Sequence, residues 1–391
     1  MKLSHRAQSA EPFHALAFGQ QAADLEAEGH HVVKLSIGEP DFGAPPAVRE
    51  AMRTVMDGRP LPYTPSLGLP ALREAIAGFY RERHDVVVDP ARIAITSGAS
   101  SALLLVTAAT TDPGDEVILA DPSYPCNREM VASFGGRVVA VPSTAATRYQ
   151  LAVSTVEQAW SEHTASVMVA SPSNPTGTSV PFDELTAICA LARDRDVWRI
   201  VDEIYLDLSD PAPDGSPPRS VLTVDPDAIV INSFSKYFGM TGWRLGWAVL
   251  PEVLVPAFEK LAMHYFLCAS APAQHAALAA FTPESLALAE ERRAELFARR
   301  ALVLEGLARI GIPVPAVPDG AFYVYFDVAG TGLGAWEFCE RALAEHHVAF
   351  TPGTDFGTHT AATHVRLSYA ASRDELREGL ARLGAFVAGL S

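Results

Sequence analysis

Between residues 92 and 250 short β-branched runs alternate with longer helical stretches, a pattern that confines the chain to an α/β fold on a mostly parallel sheet. The runs are Arg92–Thr96, Glu116–Ala120, Arg137–Val141, Ser166–Ala170, Trp198–Asp202, Ala228–Asn232 and Leu245–Leu250, which predict seven strands. Amphipathic segments such as Phe182–Arg195 lie between several of them. The last connection differs. Only 12 residues, SFSKYFGMTGWR, separate Asn232 from Leu245, and they carry no helical period. That is short for a crossover between parallel strands, so the final strand is expected to run antiparallel in a mixed sheet.

The flanks read differently. Residues 284–310 predict one long amphipathic helix ending at Gly311, which could connect a large domain to a second one. Beyond it, FYVYFDV, a helix around Trp336–His346, VAFTPG, HVRLSYA and a terminal helix make a small α+β unit. The first 46 residues have no core of their own and include a helix near Phe13–Glu28, which is expected to pack on that small unit. The expected division is therefore an N-terminal segment 1–46, a large domain 47–283 and a small domain 284–391. Asp207–Ser220, rich in Pro, Asp and Ser, reads as a surface loop.

Composition excludes several classes of function. The 391 residues are 49% hydrophobic and 19% charged, a globular balance, and no apolar run approaches the roughly 18 residues of a membrane-spanning helix. The N-terminal MKLSHRAQSAEPFH lacks the apolar region of a secretory signal, so a soluble cytoplasmic protein is expected, without a membrane partner. A net charge of -16 repels phosphate backbones and argues against nucleic acid. Cys126, Cys189, Cys268 and Cys339 are scattered, and the pairs His30-His31 and His346-His347 are adjacent rather than helically spaced. Neither pattern suggests a metal site.

In parallel sheets ligands bind outside the carboxyl ends of the strands, and the residues there form a set. After Thr96 comes SGAS, small residues at the start of a helix whose amides suit a phosphate. After Ala120 comes DPSYP, which puts Tyr124 where its ring could cover a flat ligand. After Ala170 comes SPSNPTG, a turn that projects Asn174. After Val201 comes DEIY, and Asp202, leaving a buried strand, demands a cationic partner, by default an arginine. After Asn232 comes SFSKYFGMTGWR, with Lys236 close to Ser233, Ser235 and Arg244. A crowded lysine can have the lowered pKa that imine formation requires, while hydroxyls and a guanidinium suit a phosphate dianion. A phosphate cradle, an aromatic lid, a hydrogen-bonding amide, a buried acid and an amine are the parts that pyridoxal 5'-phosphate needs.

The chain closely resembles the class I/II aminotransferases of pyridoxal-phosphate fold type I, through LSIGEPDF, YTPSLGLPALREAIA, TSGAS, SNPTG, VDEIY, SFSKYFGMTGWRLGW and HVRLSYA in order. The resemblance implies that Lys236 carries the imine, Asp202 pairs with the pyridinium nitrogen, Tyr205 and Asn174 hold the phenolic oxygen, and Tyr124 stacks on the ring. It assigns the phosphate to Gly98, Ala99, Ser100, Ser233, Ser235 and Arg244, with Tyr63 reaching it from the other subunit of a homodimer. It assigns the substrate α-carboxylate to Arg366, helped by the backbone of Gly38. The implied reaction moves the amino group of an L-amino acid to a 2-oxo acid by a ping-pong mechanism.

Three other readings compete. β-Elimination, racemisation or decarboxylation would use the same cradle, and a regulator could borrow the fold as a sensor. Residues 330–335, GTGLGA, fit a dinucleotide-binding pattern with Asp355 20 residues further on, but leave the strand-end set unexplained. One departure bears on substrate. Some aspartate-specific relatives use a lysine in the cradle motif to meet a distal carboxylate, and here Ser100 stands at that position. A neutral amino acid, aliphatic or aromatic, is therefore expected, with Arg128 the residue able to overturn this by swinging in.

Overall fold

The computed structural model describes residues 2–9, 14–212 and 215–390. Its first strand, β1 (Val33–Lys34), is followed by β2 (Ile93–Thr96), β3 (Glu116–Asp121), β4 (Arg137–Pro142), β5 (Thr164–Ala170), β6 (Trp198–Asp202), β7 (Ile229–Ser233) and β8 (Gly246–Val249). The seven strands β2 to β8 form one sheet in the order β2-β8-β7-β6-β5-β3-β4. All neighbours are parallel except β8, which runs antiparallel to both β2 and β7. The sheet is thus mixed as expected, and the short 233–245 connection turns back through a 3-10 turn at Thr241–Trp243 rather than a crossover helix.

Strands β2, β7 and β8 are buried at every residue, which is why they read as largely apolar runs, whereas the edge strand β4 is mostly exposed or half-buried. Because β2 and β7 both oppose β8, the carboxyl ends of β2, β3, β5, β6 and β7 all open on one side of the sheet. There the backbone is crowded. A Cβ added to Gly246 would sit 2.8 Å from the Ala99 nitrogen and 2.9 Å from the Asn232 oxygen. Only glycine lets β8 begin that close to the turn leading from β2 into the helix Ala99–Thr110.

The remaining strands are β9 (Tyr323–Asp327), β10 (Val348–Ala349), β11 (Thr351–Pro352) and β12 (His364–Ser368). They make an antiparallel sheet β11-β12-β9 and a parallel pair β1-β10. The helix Pro283–Ile310 precedes them, capped by the Thr282 hydroxyl at its start and by Gly311 at φ 83° at its end. The N-terminal region lies against this part of the chain: β1 pairs with β10, and the Phe18 ring stands 5.1 Å from that of Trp336. The helix predicted near Phe13–Glu28 is observed at His14–Ala27, with Phe13 outside the described residues.

Two sequence readings change. The GTGLGA segment does lie between a strand and a helix, but β9 is antiparallel to its neighbour, so no βαβ unit exists there for a dinucleotide. Asp207–Ser220 is not simply a surface loop. Asp207, Ser209 and Ser220 are buried, because the Asp207 carboxylate meets Arg83 Nε at 3.0 Å and Ser220 Oγ donates to Glu203 at 2.8 Å. These bonds fasten the back of the segment that carries Asp202 and Tyr205. Residues 213 and 214 of the loop lie outside the described residues.

Gly246→Ala should lower unfolding stability by about 1–3 kcal/mol, the usual cost of overpacking, because its close contacts are backbone atoms that cannot rotate away. Denaturant titration checks this. A variant as stable as the parent would mean that β8 and the 98–99 turn separate freely.

Candidate active site

The strand ends open into a cavity of about 570 Å³, a size suited to a small cofactor with a substrate. At one end, Gly98 adopts φ 86° and ends at the first turn of the helix Ala99–Thr110. A Cβ on Gly98 would stand 2.6 Å from an Arg244 nitrogen, so the guanidinium and the helix start are in contact only because this residue is glycine. Ser100, Ser233 and Ser235 line the same end, and the Ser235 amide donates to Ser233 Oγ at 3.0 Å. Amides at a helix N-terminus, hydroxyls and a guanidinium form a cradle for a dianion.

Asp202, the last residue of β6, is buried, and its carboxylate accepts one hydrogen bond, from the Ile204 amide at 3.0 Å. Burial pushes its pKa up to about 6, against the pull of that amide and of Lys236. Among the described residues no arginine or lysine lies within ion-pair distance, so the alternative of a plain salt bridge to an arginine is not realised. A buried carboxylate without a cation fits a protonated ring nitrogen.

Lys236 is carried by the loop after β7. Its base is an aromatic cluster in which the Phe234 ring lies 5.0 Å from Trp247 and 5.1 Å from Phe238. The ammonium donates to the Gly38 carbonyl at 2.6 Å. Burial lowers its pKa to about 8; Glu39 opposes the shift, and the cations of Arg366 and Arg244 add to it. Only four lysines occur in the chain, Lys2, Lys34, Lys236 and Lys260, and Lys236 alone lines the cavity.

Facing the amine, the Tyr205 and Tyr323 hydroxyls meet at 2.9 Å. Tyr124, just before the helix Pro125–Ser133, forms part of the wall. Arg366, in the middle of β12, donates to Asn174 Oδ1 at 2.8 Å and to the Ser36 carbonyl at 2.6 Å. Its guanidinium lies over the rings of Tyr323 and Phe356, at 4.6 and 4.9 Å. Among the described residues its Nε is buried without a hydrogen-bond partner. Gly38 is confined by the Tyr323 hydroxyl, which would lie 2.8 Å from a Cβ there.

The cavity therefore gathers Gly38, Ala99, Ser100, Tyr124, Asn174, Asp202, Tyr205, Ser233, Ser235, Lys236, Arg244 and Arg366, with Gly98 at its rim. Tyr63 does not join them. It is 78% exposed and does not line this cavity. Arg128 does not swing in either: its two terminal nitrogens donate to the carbonyls of Phe356 and Asp355, at 2.8 and 3.1 Å. Sequence reasoning missed Tyr323, Ser36 and Phe356. The FYVYFDV run predicted the strand bearing Tyr323, but nothing in it marked which face meets a cavity.

Residues 30–383 match the profile of the family described as aminotransferase class I and II. A Mycobacterium tuberculosis protein named valine--pyruvate aminotransferase is 40% identical over 377 residues, 96% of each chain. The aspartate/prephenate aminotransferase of Thermus thermophilus is 37% identical over 383 residues, 97% of each. An aminotransferase structure from Mycobacterium tuberculosis superposes with a TM-score of 0.95 at 38% identity, covering 100% of both chains. The Thermus thermophilus aspartate aminotransferase structure with maleate gives 0.92 at 36% identity, covering 98% and 99%. With its strand-end cavity and a family match over most of its length, this chain belongs to the class I and II aminotransferases.

Proposed function

We propose that this aminotransferase works with pyridoxal 5'-phosphate, anchored covalently on Lys236, and moves the amino group of a neutral L-amino acid to a 2-oxo acid in a ping-pong cycle. The observation that carries the reading is a buried amine and a buried, cation-free carboxylate in one cavity beside an anion cradle. Bound there, the cofactor would supply an electron sink next to the substrate's α-carbon.

The chain's own residues do the rest. The cradle of Gly98, Ala99, Ser100, Ser233, Ser235 and Arg244 holds the phosphate. Asp202 keeps a proton on the ring nitrogen, since an anion in that position favours the protonated form. Tyr205 and the Nδ2 of Asn174 donate to the phenolic oxygen, because the Oδ1 of Asn174 is occupied by Arg366. Tyr124 covers the ring. Arg366 receives the α-carboxylate, and the Gly38 backbone borders it. Lys236, as a neutral amine, would be the base able to take the α-proton. Tyr63, exposed in one protomer, would complete the phosphate site of its partner in a homodimer. The divisions 1–46, 47–283 and 284–391 and a cytoplasmic location belong to the same reading.

For the substrate side chain, Ser100 supplies no cation, Arg128 is engaged by backbone carbonyls, and Ile37 and Leu103 line the cavity. Binding a second carboxylate without a counter-charge is unfavourable, whereas an apolar group needs only room. The Mycobacterium tuberculosis relative named for valine and pyruvate supports this preference.

Two outcomes are expected. In apoprotein, reductive methylation mapped to Lys236 should rise with pH through a midpoint of about 8, because the amine loses its proton there rather than at 10.5. A midpoint near the ordinary lysine value of 10.5 would contradict a desolvated amine. With a common acceptor, kcat/KM for alanine, leucine or phenylalanine should exceed that for aspartate by about tenfold or more. Aspartate leading by that margin would mean that another cation reads the side chain.

A further inference from the structure

Arg366 can orient a carboxylate only if its own guanidinium is held in one plane, and the Phe356 ring, 4.9 Å away, is one of the groups that hold it. Phe356 is fully buried but sits in an irregular stretch after the 3-10 turn Gly353–Asp355, with no strand to fix it. What fixes it is the end of β3 and the segment that follows it. Asp121, 5% exposed, accepts hydrogen bonds from the Thr358 amide at 2.9 Å, the Thr358 hydroxyl at 2.9 Å and the His359 amide at 3.3 Å. A Cβ on Gly357 would overlap the Asp121 carboxylate, at 1.7 Å, so the carboxylate lies directly against the chain there. From the other side, the Ser123 amide donates to the Phe356 carbonyl at 2.8 Å, and Arg128 grips the carbonyls of Asp355 and Phe356.

All of these contacts but the Thr358 hydroxyl go to the backbone of residues 355–359, so they mainly set where that backbone runs. They are also ionic, and charge-assisted hydrogen bonds in a half-buried setting are the stronger kind. Between Asp121 and Arg128 stands Tyr124, a wall of the cavity. One stretch of eight residues therefore supplies the aromatic wall and fastens the ring that flattens Arg366.

We propose that Asp121 and Arg128 are positioning residues for substrate recognition: together they staple the 355–359 segment so that Phe356 holds the Arg366 guanidinium in the plane that receives the α-carboxylate. The proposal rests on the reading that Arg366 binds that carboxylate. Without Arg128 the Phe356 carbonyl loses a cationic donor, the ring gains freedom, and Arg366 can tilt away. The phosphate cradle of Gly98, Ala99, Ser100, Ser233, Ser235 and Arg244 takes none of its groups from the staple.

The test uses holoenzyme titrated with 2-methylalanine, an amino acid without an α-proton, followed by the absorbance of the bound cofactor. Arg128→Gln should weaken its binding about tenfold, the effect of one charge-assisted hydrogen bond, and should raise KM more than it lowers kcat. Arg128→Lys, which restores the charge but not the fork, should recover part of the loss. Reloading of the apoprotein with pyridoxal phosphate should be unchanged in both. Asp121→Asn, with amide exchange at residues 356–359 as its readout, gives a second route should Arg128→Gln fail to fold; faster exchange there is expected. If Arg366→Ala weakens 2-methylalanine binding and Arg128→Gln does not, the staple is overturned while the site reading stands. If neither variant weakens it, the assignment of Arg366 itself is wrong. Parallel loss of cofactor and analogue binding in Arg128→Gln would make the residue a general structural support and overturn the proposal.

Discussion

Removal of water from Asp202 and Lys236, at the ends of two adjacent parallel strands, is the constraint on which the rest of the site depends. Each charge is costly to bury, and neither has an oppositely charged side chain within ion-pair distance among the described residues. The signs fix when that cost is felt. The folded pKa of Asp202 is raised from 3.8 to about 6, so its contribution to stability is lost as pH rises through that range. The folded pKa of Lys236 is lowered from 10.5 to about 8, so the protein regains stability only as pH rises above about 8. Between about 6 and 8 both groups are charged and desolvated, and without a ligand their combined contribution is at its minimum. A ligand that brings a cation to Asp202 and binds the amine of Lys236 relieves both penalties together.

The scaffold tolerates this because its neighbours are rigid. Strands β7 and β8 are buried throughout, Trp247 packs under the Lys236 loop, and Glu203 and Asp207 tie the far side of the Asp202 segment to Ser220 and Arg83. A buried charge on a looser element would draw in water or neutralise instead.

How much of this the sequence disclosed follows from the range of each interaction. Strands buried on both faces read as β-branched runs, so the seven-stranded sheet and its antiparallel member were legible, and with them the residues immediately after each strand. Contacts between distant segments were not. Arg366 reaches Ser36 across 330 positions, and Asp207 reaches Arg83 across 124, with no local pattern to announce either. The Pro, Asp and Ser content of 207–220 signalled a turn correctly and said nothing of the buried acid at its start. Arg128 stands close to Tyr124 in sequence, yet its side chain reaches the carbonyls of residues 355 and 356, which proximity along the chain could not predict.

On the substrate side the same holds: Arg366 has hydrogen-bond partners for both terminal nitrogens and the rings of Tyr323 and Phe356 against its guanidinium, so it is oriented before a carboxylate arrives. What distinguishes amino-group transfer from other chemistry in such a cavity is the fate of the amine. The most direct measurement supplies holoenzyme with a neutral L-amino acid and no 2-oxo acid. The account predicts that one 2-oxo acid is released per active site, that the bound cofactor ends in its aminated form, and that adding a 2-oxo acid restores the starting absorbance, with none of this in Lys236→Ala. Continued release of ammonia, or loss of the substrate's handedness without any 2-oxo acid, would contradict it.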